Sequence, residues 1–153
     1  MPSVHGVSHI VLMCKDVQKM KQFYCDVLGF TVAHEGSRGD VFITSDPARE
    51  EHEIALFPGR GDGESSVLNH IALHVDTVEQ MREFYQVFNE QGVVDRCTSH
   101  GNTVSCYFFD PDGNRLEVYA LVTTGEYHGP LDLTKSADEI LALYTQRRPA
   151  GVH

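Results

Sequence analysis

Two stretches decide the architecture: HIVLMCKDVQKMKQFY at His9–Tyr24 and HIALHVDTVEQMREFY at His70–Tyr85. Superposed without a gap at an offset of 61, they share His9/His70, Ile10/Ile71, Leu12/Leu73, Val17/Val78, Met20/Met81, Phe23/Phe84 and Tyr24/Tyr85, seven identities in sixteen positions. Such self-similarity marks an internal repeat, and a repeat governs every later reading of the chain. Each copy opens on a short β-rich run. Each continues into a segment whose apolar residues, Val17, Met20, Phe23, Tyr24 and Val27 or Val78, Met81, Phe84, Tyr85 and Phe88, recur at helical spacing.

Working outward, further strand-like runs follow each helix. The first copy offers Thr31–Ala33, Asp40–Thr44 and Glu53–Phe57; the second offers Val93–Val94, Thr103–Phe109 and Arg115–Tyr119. The last two are joined by Asp110-Pro111-Asp112-Gly113-Asn114, a hairpin sequence, because Pro presets φ and Gly and Asn tolerate positive φ. The expected fold is therefore α+β: two tandem βαβββ modules, at about 5–57 and 68–122, forming a curved mixed sheet around a metal site. Residues 58–67 are Gly/Ser-rich and read as a linker. In the tail, 123–153, Ser136-Ala137-Asp138-Glu139 has the form of a capping box and predicts a short C-terminal helix.

The 153 residues are read as a single domain of these two modules. Twelve Lys and Arg against 22 Asp and Glu give a formal charge of -10, which repels phosphate backbones and anionic lipid heads, so neither nucleic acid nor membrane is expected as a partner. The first residues carry no basic start followed by an apolar run, no stretch has the length of a membrane span, and a cytoplasmic location is expected. Cys14, Cys25, Cys97 and Cys106 form no C-x-x-C pair and read as reduced thiols.

Nine histidines stand out, because neutral imidazole is the commonest metal ligand. His9 and His70 hold equivalent places in the two copies, and Glu117 lies on an otherwise apolar last strand. Singly, each histidine also reads as a hydrogen-bonded strand residue. Together, two His and one carboxylate form the face that leaves adjacent metal positions open in non-haem Fe(II) oxygenases. The first copy puts Leu56 opposite Glu117 at the offset of 61, or Ala55 after a slide of one, and neither is a ligand.

These residues carry a resemblance. The paired modules with Ser8-His9-Ile10, Asn69-His70-Ile71-Ala72-Leu73 and Phe109-Asp110-Pro111-Asp112-Gly113-Asn114-Arg115-Leu116-Glu117 resemble the vicinal oxygen chelate superfamily, over about residues 5–122. That superfamily includes glyoxalase I, fosfomycin-resistance thiol transferases, methylmalonyl-CoA epimerase and type I extradiol dioxygenases. Four features are similar to the extradiol enzymes in particular: His52 opening the strand segment His52-Glu53-Ile54-Ala55-Leu56, His100 before Gly101, Tyr107 three residues ahead of Asp110, and the tail Tyr127–Leu133. The usual extradiol enzyme carries a further amino-terminal pair of modules that this sequence does not contain.

The resemblance implies an Fe(II)-dependent enzyme, other divalent metals such as Mn serving the same ligands, that cleaves a catechol-type aromatic diol with O₂. His9, His70 and Glu117 would hold the metal, His52 would act as acid-base group, and Tyr107 and His100 would contact the substrate. It also implies a homodimer. Two rivals stand beside it: a lyase or isomerase of the glyoxalase or epimerase type, which needs a fourth ligand from the first copy, and a metal-free binding module of the bleomycin-resistance kind. For His52 the strand reading raises a difficulty. His52 and Leu56 share parity, yet four strand residues span about 13 Å. His100 is expected in a loop, Tyr107 on an alternating strand, and His74 at a surface strand end.

Overall fold

The computed structural model describes residues 9–48, 52–64 and 68–145; the module start at residues 5–8, linker residues 65–67 and tail residues 146–153 lie outside the described residues. The first copy runs β1 (Ile10–Cys14), α1 (Val17–Asp26), β2 (Thr31–Glu35), β3 (Val41–Thr44) and β4 (Ile54–Pro58). The second runs β5 (Ile71–Val75), α2 (Val78–Glu90), β6 (Val94–Gly101), β7 (Thr103–Phe109) and β8 (Arg115–Leu121), followed by β9 (Tyr127–Pro130) and α3 (Ala137–Thr145). The tandem βαβββ pattern is present, and each copy builds its own mixed sheet, in the order β1-β4-β3-β2 and β5-β8-β7-β6-β9.

In each sheet the first strand pairs in parallel with the last. Ile10 stands opposite Ile54 and Val11 opposite Ala55; Ile71 stands opposite Leu116 and Ala72 opposite Glu117. The helix between supplies the crossover that a parallel pair requires. Local chemistry starts each helix. The Asp16 carboxylate accepts from Lys19 N at 3.0 Å, Thr77 and Gln80 form a reciprocal capping box, and Ser136 and Glu139 form the one expected ahead of α3.

The compact units are residues up to Glu64 with Asp110–Gly113, and residues Leu68–Phe109 with those from Asn114 on. In the first, α1 buries Val17, Met20, Phe23 and Tyr24 on the face of Leu12, Cys14, Ile43 and Leu56. The Asp-Pro-Asp-Gly turn is tied in as well: Asp110 accepts from Asp112 N at 3.0 Å and from the Tyr24 hydroxyl at 3.4 Å, Asp112 accepts from Lys15 N at 2.8 Å, and Gly113 takes a φ of 79°. Burial, then the charge of Asp110, pushes the Tyr24 phenol well above its ordinary range.

In the second unit, α2 lies over the even-numbered face of β7 and β8, where Val104, Cys106, Phe108, Leu116, Val118 and Ala120 are buried. Phe88 stacks on Phe108 with ring centroids 3.9 Å apart. The odd-numbered face carries Tyr107, Arg115 and Glu117 instead.

Three expectations need correction. His100 lies on β6, not in a loop; the polar run Val94–Gly101 lacks alternation and is held as a strand because it pairs with β7 on one side and β9 on the other. The linker begins later than residue 58, since Pro58 closes β4 and the amides of Gly59 and Arg60 both donate to Cys14 O at 3.2 Å. His52 precedes β4 rather than opening it, so the parity argument from Leu56 does not apply.

Phe88→Ala should lower the stability of the folded chain by about 3–5 kcal/mol, because the vacated ring volume cannot be refilled between α2 and β7. Urea unfolding followed by circular dichroism measures it; a loss below about 1 kcal/mol would show that this contact is not central to the core.

Candidate metal and substrate site

The second unit holds the best-defined donors. Because β5 and β8 are parallel with Ala72 opposite Glu117, His70, two residues before Ala72, is delivered to the side of Glu117. His70 Nε2 lies 3.3 Å from Glu117 Oε2, and Glu117 is 7% exposed. On its other edge, His70 Nδ1 lies 2.7 Å from Asn69 Oδ1. An amide oxygen only accepts, so with Asn69 Oδ1 as partner Nδ1 donates, and Nε2 is the ring edge that faces the carboxylate. An imidazole nitrogen and a carboxylate oxygen at that distance can share either a proton or a metal ion. The donor set, one imidazole and one carboxylate, suits Fe(II), Mn(II) or Zn(II).

Tyr107 stands opposite Glu117 in the β7–β8 ladder and points to the same face. Its hydroxyl lies 3.1 Å from His100 Nε2, and the His70 ring meets its edge at 5.4 Å. Two guanidinium groups cover the ring, Arg115 at 4.3 Å and Arg96 at 5.0 Å from its centroid. Burial, then the charge and the accepting oxygen of Glu117, raises the Tyr107 phenol, with Arg96 and Arg115 opposing. The phenol therefore stays protonated at neutral pH and serves as a donor. Arg115 is fixed by Asp95 at 2.6 Å, and a bulge in β6 between Val94 and Arg96 aims that segment at the Tyr107 face.

The first unit brings His9 and His52 together. His9 sits just ahead of β1, where Ile10 N donates to Glu53 O at 3.0 Å, and the His9 and His52 rings are 4.6 Å apart. The chain bends before β4, so the His52 ring packs edge-on against Phe42 at 4.7 Å, and Phe42 stands opposite Ala55. His52 thus shares the face of Ala55, which removes the span computed from Leu56. His34 stacks on Phe42 at 4.0 Å and meets His52 at 6.2 Å. Register also settles the counterpart of Glu117: Glu117 pairs with Ala72, and Ala55 pairs with Val11, the repeat equivalent of Ala72. Ala55 offers no ligand. His74 lies on β5, exposed, 3.9 Å from Asp76.

Among the described residues, no group of three or more His, Cys, Asp and Glu side chains gathers as a metal centre; of the three expected ligands, His70 and Glu117 lie side by side in the second unit and His9 lies in the first. Sequence reading missed Asn69, Asp95, Arg96, Arg115, His34 and Phe42. Only two left a signal: Asn69 adjoins His70, and Arg115 shares strand parity with Glu117.

Residues 6–118 match the profile of the Glyoxalase/Bleomycin resistance protein/Dioxygenase superfamily. The chain belongs to this superfamily. Within it, the chain is 35% identical over 119 residues to biphenyl-2,3-diol 1,2-dioxygenase 3 of Rhodococcus globerulus, covering 73% of this chain and 61% of that one. It is 26% identical over 147 residues to the metallothiol transferase FosB of Staphylococcus saprophyticus, covering 92% and 91%. Among solved structures, the fosfomycin resistance protein FosX of Listeria monocytogenes aligns with a TM-score of 0.65 at 23% identity over 78% of this chain and 94% of that one, which shows a shared fold. The chain thus spans about three fifths of the dioxygenase relative and nearly all of the transferase. Among the described residues of this superfamily member, no helix is long and apolar enough to cross a membrane.

Asn69→Ala should leave the fold intact and weaken Co(II) binding by about 10–100-fold, the usual effect of removing the group that orients a ligating imidazole. Competition with a chromogenic chelator reads the affinity. An unchanged value would remove Asn69 from the site.

Proposed function

We propose that this chain is an Fe(II)-dependent extradiol dioxygenase that opens the ring of a catechol-type aromatic with O₂, with His9, His70 and Glu117 as iron ligands. The observation that carries the reading is the asymmetry of the repeat: a carboxylate beside His70, and Ala55 in its place beside Val11. A three-ligand face leaves room for diol and O₂, whereas a fourth protein ligand would close it. The 35% identity to a biphenyl-2,3-diol dioxygenase supports the same choice.

When bound, the metal supplies chelation of the diol and activation of O₂. The remaining work falls to side chains. Tyr107, kept neutral, offers its phenolic proton to a substrate oxygen, and His100 Nε2, 3.1 Å away, restores or orients it. His52, packed against His9 and Phe42, holds a proton at its imidazole and passes it to the oxygen side of the reaction. Phe42 and its stacked partner His34 limit water beside that ring. A homodimer and a cytoplasmic location belong to the same reading.

A second reading is favoured by one observation: FosB aligns over nearly the full length of both chains, and a probable lactoylglutathione lyase of Synechocystis, 29% identical, aligns over 72% of this chain and 91% of its own length. On this reading the chain is a metal-dependent transferase or lyase. The lyase form of this reading requires a fourth donor that Ala55 does not provide.

Anaerobic loading with Fe(II), followed by a panel of catechols with O₂ uptake and product absorbance recorded together, tests the proposal. Ring cleavage with stoichiometric O₂ uptake is expected, and His70→Ala and Glu117→Ala should each lose most of the iron. His52→Phe should keep iron and catechol but slow turnover by about 10²–10⁴-fold. No O₂ uptake on any diol, with turnover of a glutathione hemithioacetal or a thiol and an epoxide, would replace this reading by the second. Loss of iron in His52→Phe would make His52 a ligand.

A further inference from the structure

Two cysteines far apart in sequence face each other in the second unit. Cys97 of β6 stands directly opposite Cys106 of β7. The carbonyl of Cys97 accepts from Leu131 N at 3.1 Å, on the side away from β7. In an antiparallel ladder a residue directs its N–H and C=O to the same neighbour, so Cys97 and Cys106 form a non-hydrogen-bonded pair. Such pairs have Cα atoms about 4.5 Å apart and their side chains drawn together, within the window for a disulfide. The Cys106 thiol donates to Tyr107 O at 3.8 Å, and the two sulfurs are close enough to shift each other's ionisation. Both are free cysteines, Cys97 half-buried and Cys106 fully buried.

We propose that Cys97 and Cys106 are an oxidation site, closed by a hydroperoxide into a reversible cross-strand disulfide that clamps β6 to β7. Exposure assigns the order of events. The Cys97 thiolate attacks one peroxide oxygen, the O–O bond breaks, and Cys97 becomes a sulfenic acid while the other oxygen leaves as water or alcohol. The Cys106 sulfur then attacks the Cys97 sulfur, the S–O bond breaks, and water leaves with the Cys106 proton. Each sulfur gives up one electron, and the two peroxide oxygens take both. The nearness of the two sulfurs suits this division: Cys106 lowers Cys97 below the ordinary thiol range, against burial and Asp132, while Cys97 and burial raise Cys106.

The other two cysteines lack this arrangement. Cys14 is buried on β1, donates to Leu12 O at 3.4 Å, and is pushed up to about 12 chiefly by burial. Cys25 lies on α1 and is raised by burial and Asp26. Neither stands opposite a second thiol in a strand register. The consequence reaches the candidate site through the backbone: the clamp ties the strand of Arg96 and His100 to the strand of Tyr107, whose side chains occupy the opposite face. The site does not depend on the proposed reaction.

The intact protein, treated with one equivalent of hydrogen peroxide and then quenched with N-ethylmaleimide in denaturant so that buried thiols react, tests this directly. Alkylatable thiols should fall from four to two, non-reducing peptide mapping should recover Cys97 linked to Cys106, and dithiothreitol should restore all four. Cys106→Ser should instead accumulate a Cys97 sulfenic acid that dimedone traps. A bond to Cys14 or Cys25, four thiols still alkylatable, or Cys97 advancing to sulfinic acid beside a free Cys106 would each overturn the proposal. So would pairing that proceeds no faster in the folded protein than in urea.

Discussion

The parallel pairing of first and last strand within each copy is the constraint on which the rest depends. Both ends of a βαβββ module are brought side by side by it, so a residue just ahead of the first strand meets a residue inside the last. In the second copy the meeting residues are His70 and Glu117; in the first, the same register brings His9 beside the turn that carries His52. Helices α1 and α2 serve this pairing twice over, as the crossover and as the apolar lid on one face of each sheet. The chemistry-bearing side chains are thereby confined to the other face.

On that face the surroundings of Tyr107 set its role. Two arginines against one ring ordinarily favour a phenolate, yet burial and Glu117 outweigh them and keep the proton in place. Asp95 also pairs with Arg115 at 2.6 Å, while Arg96 lies at the exposed edge. A carboxylate, a neutral phenol and two guanidinium groups thus occupy one short stretch of sheet. Removing the carboxylate would take away one of the influences that raise the Tyr107 phenol as well as a donor atom.

What could be read from sequence follows from how strongly each feature is patterned. The repeat exposed β1, β5 and both helices, and with them His9 and His70, because identities at fixed offset survive without any propensity argument. Glu117 stood out as a charge on an apolar strand. By contrast, β6 has no alternation, since Asp95, Arg96, Thr98, Ser99 and His100 are all polar, and only pairing on both sides reveals it. Arg96 and the position of His100 were hidden for that reason. His52 was misplaced because a bend at Glu53, immediately ahead of β4, breaks parity, and neither that bend nor the β6 bulge has a glycine or proline to announce it. The choice between Leu56 and Ala55 was likewise a register question, open until the ladder was seen.

The parallel ladder also bears on how the protein reaches its native state. His70 and Glu117 are 47 positions apart, and hairpin contacts such as β7–β8 close far shorter loops. Joining β5 to β8 requires the intervening helix and strands to be in place, so it belongs among the late, entropically expensive steps of folding. The imidazole and the carboxylate meet only when that step is complete. A partly folded chain therefore offers no preformed pair to capture stray metal ions, and the ability to bind one tightly would report that the second module has finished folding.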